Sequence, residues 1–289
     1  MKHTFIVKES RQLKPYERSM LHSLYPAGQL PHLFCLPADC YHYTGWFRNK
    51  PVAAVTVDCK DFKTSHLIRL SDTTCKNRMM LSGLIDQVLF QLRLEVRHNT
   101  TVSVTLPTDA PGNLLNGFKD IGFLPHLEAT SFEFPFVPYT KTTFDQWQFC
   151  IEYPETHGDW LRKRNQYFWL LPGAVPLTAR TLDMLHRRQT IFYSLKWKGT
   201  VVGTMYGEIK QGRLYLHELH IVGQKEFTQE GISFFQQSYY DKFKKTELMS
   251  VTATSMQTHV LHALYEQGAR PTPSSTYTLL KYLTPARTD

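Results

Sequence analysis

The chain has 289 residues, 42% of them hydrophobic and 13% aromatic, which is ample for a packed interior and favours two modest domains over one. Its 33 basic and 25 acidic residues give a net charge of +8, which suits anionic partners such as phosphorylated cofactors, nucleotides or nucleic acid. The dense basic clusters, WLRKR around Arg162 and HRR at Arg187, are interrupted by apolar residues. Solvated helix faces are therefore expected there, and a purely nucleic-acid-binding protein is disfavoured.

Export and disulfide bonding are both disfavoured by the sequence. No apolar run approaches the length of about 20 residues that crosses a bilayer, and the N-terminal stretch lacks the apolar core of an export signal. A cytoplasmic protein that makes no membrane contact is expected. The cysteines are odd in number and never spaced as CxxC, which predicts reduced structural thiols. They are Cys35, Cys40, Cys59, Cys75 and Cys150. A nucleophilic Cys75 is the alternative, although no His or Asp partner can be placed beside it.

The first half of the chain predicts a hairpin, a helix and a further strand. Alternating runs in CYHYTGWFRNKPVAAVTVDCK surround the turn-like Arg48-Asn49-Lys50 and predict a β-hairpin. A polar loop through Asn77 follows, and then MLSGLIDQVLFQLRLEV, whose apolar residues recur at helical spacing. The β-branched TTVSVTLP from Thr100 predicts a strand, and a short helix follows that ends near Gly122.

The second half repeats this order. Three strands are predicted around turns at Lys198-Gly199 and Gln211-Gly212-Arg213, followed by a polar loop and the helical ISFFQQSYYDKF. The strand LMSVTAT and a short helix ending near Gly268 complete the set. Aligning Val52 with Val201 gives an offset of 149 residues, and aligning Gly122 with Gly268 gives 146. Their agreement predicts two copies of one αβ unit.

The junction between the copies is placed at FPFVPYTKTTFDQW, where prolines follow the last strand of the first copy. The predicted domains are residues 1–138, the first copy, and residues 139–289, the second copy.

The order of elements in each copy resembles the GNAT superfamily of acyl-CoA-dependent N-acetyltransferases. The resemblance rests on a strand hairpin, a strand with ELxV-like text, a loop similar to R/Q-x-x-G-x-G/A, a helix, a strand, and a helix with LY before a glycine. It implies an α/β (α+β) fold of two GNAT-like domains in tandem, each with a mixed, mostly antiparallel central sheet flanked by helices. It also implies acetyl-CoA, or another acyl-CoA, as co-substrate and no metal.

The segment 228–233 resembles the superfamily loop that holds the pyrophosphate of acetyl-CoA. Backbone N–H groups at a helix start bind a diphosphate without a basic side chain, and glycine allows close approach. The expected cofactor-binding residues are Thr228, Gln229, Glu230, Gly231, Ile232 and Ser233, with Leu219, Ile221 and Val222 along the pantetheine arm. A plain strand-to-helix turn with Ser233 as N-cap is the alternative.

Catalysis by acetyl transfer needs a base for the amine and a group that protonates or stabilises the departing thiolate. Strand alternation places Glu218 and His220 on one face, so either can reach an acceptor amine, and Glu218 resembles the glutamate base of many GNAT members. Alternation also places His217 and His220 on opposite faces, which excludes a shared zinc ion.

Tyr265 resembles the tyrosine that acts as general acid toward the CoA sulfur. Its spacing to Gly268 is one residue short, and anchoring on Gly268 puts Leu264 in its place instead. In the first copy Phe118 occupies that place and cannot donate a proton, and the loop from Arg78 to Gly83 is eroded. The first copy is therefore expected to be mainly structural, with acetyl-CoA in the second, although the converse assignment stays open.

The predicted function is N-acetylation of a primary amine on a small molecule, with an amino sugar nucleotide as the first acceptor to test. A degenerate GNAT-like module that binds a nucleotide or a protein partner is the alternative. An aminoacyl-tRNA-dependent transferase ranks third, because the helical coiled-coil insertion of such enzymes is not evident in the sequence. Nucleic acid is otherwise disfavoured as a partner, and the sequence leaves the oligomeric state open.

Overall fold

A computed structural model describes residues 5–25, 40–59, 67–136, 144–153, 157–173, 176–243 and 248–286. Within these ranges the chain has a mixed α/β fold, as predicted. It divides into two compact units, one formed by Met1–His126 with Tyr277–Asp289 and the other by Leu127–Thr276. The junction predicted between residues 138 and 139 lies outside the described residues.

The two copies contain similar successions of strands and helices, with one described α-helix between the first two strands of the first copy and two at the matching place in the second. The first copy has β1 (Ile6–Glu9), α1 (Pro15–Met20), β2 (Cys40–Phe47), β3 (Lys50–Asp58), β4 (Leu67–Cys75), α2 (Arg78–Glu95), β5 (Thr100–Pro107), α3 (Gly112–Asp120) and β6 (Leu124–Pro135). The second has β7 (Trp147–Glu152), α4 (His157–Gln166), α5 (Ala179–Arg187), β8 (Ile191–Trp197), β9 (Thr200–Lys210), β10 (Arg213–Ile221), α6 (Lys225–Lys242), β11 (Leu248–Thr254), α7 (Thr258–Glu266) and β12 (Arg270–Leu283).

The lengths of corresponding helices support the predicted duplication. Helices α2 and α6 each have 18 residues, and α3 and α7 each have nine. Gly122 and Gly268, which follow α3 and α7, have φ angles of 84° and 80°. Both lie in the left-handed region that glycine adopts readily after a helix end.

The predicted hairpin turns are also present. The two turn residues between β2 and β3, Arg48 and Asn49, have φ angles of 51° and 60°. Positive φ at both central positions matches the right-handed twist of the flanking strands.

Strand pairing follows the same plan in each unit. β4 pairs with β5 and β10 with β11 in parallel, whereas the pairs β2–β3, β3–β4, β8–β9 and β9–β10 are antiparallel. The strand order is β1-β2-β3-β4-β5 in the first unit, next to the later part of β12. In the second unit it is the early part of β12, then β6-β11-β10-β9-β8-β7.

The last strands of the copies are therefore exchanged. β6 comes from the first copy but pairs with β11 of the second, with Phe134 opposite Met249. The later part of β12 comes from the second copy but lies beside β5, where the Thr105 and Thr278 hydroxyls are 3.2 Å apart. Each exchanged strand covers a sheet edge whose backbone groups would otherwise lack partners.

Each sheet has an apolar core under its long helix. On α2 the buried residues recur at helical spacing, and they are Leu81, Leu84, Ile85, Val88, Leu89 and Leu92. On α6 the buried Ile232, Phe235 and Tyr239 contact the core of the second unit. Burial of each such side chain contributes about 1.5–3 kcal/mol to folding.

The four described cysteines are free thiols, and Cys35 lies outside the described residues. Burial raises the pKa of Cys75 to about 11, so this thiol stays protonated at neutral pH. A protonated, partly buried thiol is a poor nucleophile, which argues against the catalytic alternative for Cys75.

Candidate active site

A cavity opens in the second unit where β10 and β11 diverge. The two strands pair in parallel only from Arg213 opposite Leu248 to Leu216 opposite Val251. Beyond this point both continue without pairing to each other, and a cavity of about 170 Å³ lies near their ends. Its lining comes from residues 220–223 at the end of β10, from residues 256–260 at the start of α7, and from Tyr167 and Leu170. We call this space the wedge cavity.

A β-bulge in β10 changes which side chains share a face. The register with β9 shifts between Leu216 and Glu218, and both Leu216 and Leu219 lie in the apolar core. The two intervening residues therefore both lie opposite the core. The ring centroids of His217 and Tyr206 are 5.7 Å apart, and the Tyr206 hydroxyl donates a hydrogen bond to Glu218. Tyr206 is thus close to both His217 and Glu218.

The prediction that His217 and His220 point to opposite faces is thus wrong, because it assumed regular alternation. No group of three His, Cys, Asp or Glu side chains that could hold a metal occurs in the part of the chain that the structure describes.

Glu218 forms a buried ion pair with Arg164 of α4. The guanidinium Nε lies 2.8 Å from Oε2 of Glu218, and a terminal nitrogen lies 2.5 Å from Oε1. The side chains are only 2% and 5% exposed, and the Tyr206 hydroxyl lies 3.3 Å from the same carboxylate. A carboxylate held by two guanidinium bonds is stabilised as an anion and has few lone pairs left for substrate. Glu218 also does not line the wedge cavity.

Arg164 is the residue that sequence reasoning missed. The expectation of a solvated face holds for Arg162, which is exposed and pairs with Asp159, but is wrong for Arg164. Trp160 lies four residues before Arg164 and is buried with it, so one helical face carries both. A tryptophan at this spacing, together with a lone glutamate in an apolar strand, is the signal that could have predicted the pair.

His220 is a buried titratable group that faces the wedge cavity. It is 6% exposed, its ring centroid is 4.7 Å from that of Tyr167, and both ring nitrogens lack a hydrogen-bond partner among the described residues. Burial, together with the smaller effect of the positive charge of Arg164, lowers the pKa of His220 to about 4. The imidazole is therefore neutral at pH 7 and can accept a proton.

The segment 228–233 is helical, and the prediction of a phosphate-binding loop there is wrong. It lies inside α6, where Thr228 N–H donates to the Gln224 carbonyl and the Ser233 hydroxyl donates to the Gln229 carbonyl. The amides of Gln229, Glu230, Gly231 and Ile232 are likewise within the helix. Only residues 222–224 connect β10 to α6, so the helix begins earlier than expected.

Gly231 has a packing role instead. A Cβ atom at this position would lie 2.9 Å from the ring of Trp147 and 3.3 Å from Ile221, so the missing side chain lets α6 approach the sheet. The helical N–H groups without an intrahelical acceptor are those of Lys225, Glu226 and Phe227, and the N-cap Gln224 provides no side-chain cap.

Tyr265 lies outside the wedge cavity. The Ala269 amide donates to the Leu264 carbonyl as the Phe123 amide donates to that of Phe118, so Leu264 corresponds to Phe118. Both of these side chains are fully buried, whereas Tyr265 is 54% exposed and contacts the edge of Phe132 at 5.2 Å. The structure thus agrees with the alignment anchored on Gly268, and the expected position of Tyr265 facing a thioester is not observed.

The residues expected along the pantetheine arm differ in whether their side chains and backbone groups can contact a ligand. The side chains of Leu219 and Ile221 pack in the core, and the Val222 amide donates to the Val202 carbonyl. The Leu219 carbonyl accepts a 2.7 Å bond from the side-chain amide of Gln257, a residue that sequence reasoning also missed. Ile221 and Val222 line the wedge cavity.

The first copy differs at the matching helix start. β4 and β5 also pair over a short stretch, from Leu67 opposite Thr101 to Leu70 opposite Val104. The Asn77 side chain, however, accepts from the Met80 amide and caps α2. One of the amides at the start of α2 therefore already has a protein partner, whereas α6 lacks a side-chain cap.

Comparison with solved structures identifies the fold. A GCN5-related N-acetyltransferase from Sphaerobacter thermophilus is 12% identical, with 98% of this chain and 97% of that chain covered and a TM-score of 0.56. A tandem GNAT protein from the clavulanic acid biosynthesis pathway is 8% identical, covering 99% and 100%, with a TM-score of 0.53.

A GCN5-related glucosamine N-acetyltransferase region of a fungal multi-domain GH3 β-N-acetylglucosaminidase is 10% identical, with a TM-score of 0.64. It covers 97% of this chain and 38% of that one. No protein-family model matches the sequence, and no curated protein matches it. None of the described helices has both the length and the apolar character needed to span a membrane. The chain therefore has the tandem fold of the GCN5-related N-acetyltransferases.

Proposed function

We propose that the protein is an N-acyltransferase that moves an acyl group from acyl-CoA to a primary amine in the wedge cavity of the second unit. The observation that carries this proposal is His220, a buried imidazole with two unpartnered nitrogens at the point where two parallel strands diverge. An unpartnered buried polar group is costly, so its presence in a cavity favours a functional role.

His220 takes the role of base in this proposal. The neutral amine attacks the thioester carbonyl, and the imidazole accepts the proton that the nitrogen loses as the C–N bond forms. The C–S bond then breaks with its electron pair on sulfur, and the imidazolium returns the proton to the thiolate. An imidazolium whose pKa is about 4 is a strong enough acid for this step, so a tyrosine acid is not required. Glu218 holds Arg164 in place and does not take the proton.

The donor phosphates are assigned to the start of α6. The free amides of Lys225, Glu226 and Phe227 follow directly after Gly223, which lines the wedge cavity. A helix of 18 residues has a positive dipole end that favours anions, so a diphosphate there would direct the thioester along β10 toward His220.

The acceptor is proposed to be a small molecule with a primary amine, and amino sugars are the first class to test. The glucosamine N-acetyltransferase region among the structural neighbours supports this choice by fold analogy only. Amino sugar nucleotides remain the first specific compounds to assay.

A binding module without turnover is the second candidate. It is favoured by the Leu219 carbonyl, which is already hydrogen-bonded to Gln257, and by Leu264, which fills the place of the expected acid. This candidate predicts binding of a nucleotide without acyl transfer.

Calorimetric titration with CoA and acetyl-transfer assays with amino sugar nucleotides and with glucosamine separate these candidates. Thr258 is exposed and lines the cavity, so Thr258→Trp should fill it with little effect on folding. Gly112 is the matching first residue of α3, where a side chain meets only Asn116 at 3.9 Å, and Gly112→Trp is the control. We expect CoA binding to be lost only in Thr258→Trp. CoA binding without transfer to any amine would favour the module, and loss only in Gly112→Trp would move the site to the first copy.

A further inference from the structure

Gln257 bridges β10 and β11 beyond the point where their backbones stop pairing. Its side-chain nitrogen lies 2.7 Å from the Leu219 carbonyl, and its side-chain oxygen lies 2.9 Å from the Thr254 amide and 3.2 Å from the Thr254 hydroxyl. The residue is 5% exposed and lines the wedge cavity. One carboxamide therefore satisfies a carbonyl of one strand and an amide of the other, as a residue of an inserted strand would.

The bridge fixes the peptide that leads into His220. The Leu219 carbonyl belongs to the peptide bond between Leu219 and His220, so a bond to that oxygen sets the orientation of the peptide plane. The Thr254 hydroxyl also donates to the carbonyl of Leu170, another residue that lines the cavity. Gln257 thus bonds directly to β10 and, through Thr254, is connected to a second part of the cavity lining.

The matching position of the first copy cannot form an equivalent bridge. Gln257 is the N-cap of α7, and the N-cap of the matching helix α3 is Pro111. Proline has no side-chain donor or acceptor, so the corresponding position cannot join β4 to β5 in this way. Of the two N-cap residues, only Gln257 can link a pair of diverging strands.

We propose that Gln257 is a positioning residue for the transfer reaction, which holds β10 and β11 at a fixed separation and directs the imidazole of His220 into the wedge cavity. This inference rests on the proposed function for its catalytic consequence. Its structural part, the orientation of His220, can be tested without turnover.

The test replaces Gln257 by Met, which has similar length and volume but makes neither hydrogen bond. Gln267→Met is the matched control, because Gln267 also donates its side-chain amide, to Ser233 and Gln229, but lies outside the cavity. The first readout is the titration of His220 by NMR. The charged or titratable groups near it are Arg164 and Tyr167 from the α4 side, Glu218 on its own strand and His259 on α7.

In Gln257→Met we expect the peptide before His220 to turn and water to reach the ring, so its pKa rises from about 4 toward the ordinary 6.5. Acyl transfer should fall about tenfold or more in kcat, with a smaller change in KM for the donor. The control, Gln267→Met, should keep the His220 pKa and the kcat of the unaltered protein. A His220 titration and a kcat that match those of the unaltered protein would overturn the positioning role.

Gln257→Leu covers the case in which the Met variant does not fold. Leucine also makes neither hydrogen bond and adds no charge beside His220, so the same rise in the His220 pKa is expected, and this variant takes over the test. Failure of both variants to fold would assign Gln257 to stability alone and contradict the proposal. If His220 titrates as expected but the unaltered protein transfers no acyl group, the proposed function fails and the positioning role stands.

Discussion

Glu218 and His220 are separated by one residue on β10, yet their surroundings give them different roles. Arg164 pairs with the buried carboxylate of Glu218, whereas His220 is kept neutral by burial and by the same guanidinium. The sequence analysis predicted that both residues lie near the acceptor amine, and the family resemblance favoured Glu218 as the base. The structure favours His220 because Arg164 of α4 pairs with Glu218. Arg164 lies 54 residues earlier in the chain, so no local sequence pattern around β10 predicts this contact.

Substitution of Glu218 by Gln tests the ion pair. The variant removes the carboxylate charge that faces the buried Arg164 guanidinium, which should destabilise the fold by about 3–5 kcal/mol in urea unfolding. The double variant Arg164→Met with Glu218→Leu should recover much of this loss, because no buried charge remains. A Glu218→Gln protein of unchanged stability that lacks transfer activity would instead support the glutamate as base.

His220 predicts a dependence of stability on pH. Its folded-state pKa of about 4 lies below the ordinary 6.5, so the unfolded chain binds the proton first as the pH falls. Stability should therefore decrease between about pH 6.5 and 4, by about 3 kcal/mol for this group. Buried His42 has a similarly lowered pKa of about 4 and adds to the effect.

Urea unfolding at pH 7.5 and pH 4.5 measures this dependence. His220→Phe should lose less stability between these pH values than the unaltered protein, and His22→Phe, at an exposed histidine, should lose the same amount as the unaltered protein. Equal losses in all three proteins would show that His220 is not a buried neutral group.

Periodicity predicted most elements of the repeat, because apolar alternation and helical spacing are local. The strands β5 and β11 coincide with the predicted TTVSVTLP and LMSVTAT segments. The start of α6 was misplaced because Gly231 and Ser233 are residue types common in turns, whereas in the structure the glycine accommodates Trp147. Contacts of this kind join residues 84 positions apart and leave no local signature.

Gly231→Ala tests the close approach of α6 to β7. Alanine is the better helix former, but its Cβ would lie 2.9 Å from Trp147, and the strain should destabilise the protein by about 1–3 kcal/mol. Gly83→Ala on α2 is the control, since its Cβ would meet Phe5 at an ordinary 3.8 Å, and it should be neutral or stabilising by up to about 1 kcal/mol. Thermal unfolding of both variants gives the comparison, and a stabilised Gly231→Ala would refute the tight packing.

At the scale of the molecule, the duplicated sequence does not correspond to two self-contained sheets. The sequence repeat predicts that each copy keeps its own last strand, because a repeat shows only the order of the strands along the chain. It does not show which strands pair in the sheet. The exchange of β6 and β12 depends on edge pairing between distant segments, with Phe132 opposite Val251 as one example.

Truncated proteins distinguish the division predicted from sequence, after residue 138, from the two units seen in the structure. Residues 124–276 keep β6 beside β11, and we expect this fragment to fold cooperatively. Residues 139–289 lack β6 and leave the β11 edge, with apolar Met249 and Val251, unpaired, so aggregation is expected. Circular dichroism melts and size-exclusion chromatography of both fragments check this, and a monomeric, cooperatively melting fragment 139–289 would contradict it.

The placement of β12 beside β5 also has a consequence during translation. The first copy emerges from the ribosome long before Tyr277–Leu283 have been synthesised, so a nascent chain must carry the open flank of β5 while most of the second copy is synthesised. The amino-terminal sheet can then be completed only after Tyr277–Leu283 have emerged, and chaperone contact with that flank would be longest in ribosomes stalled just short of residue 277.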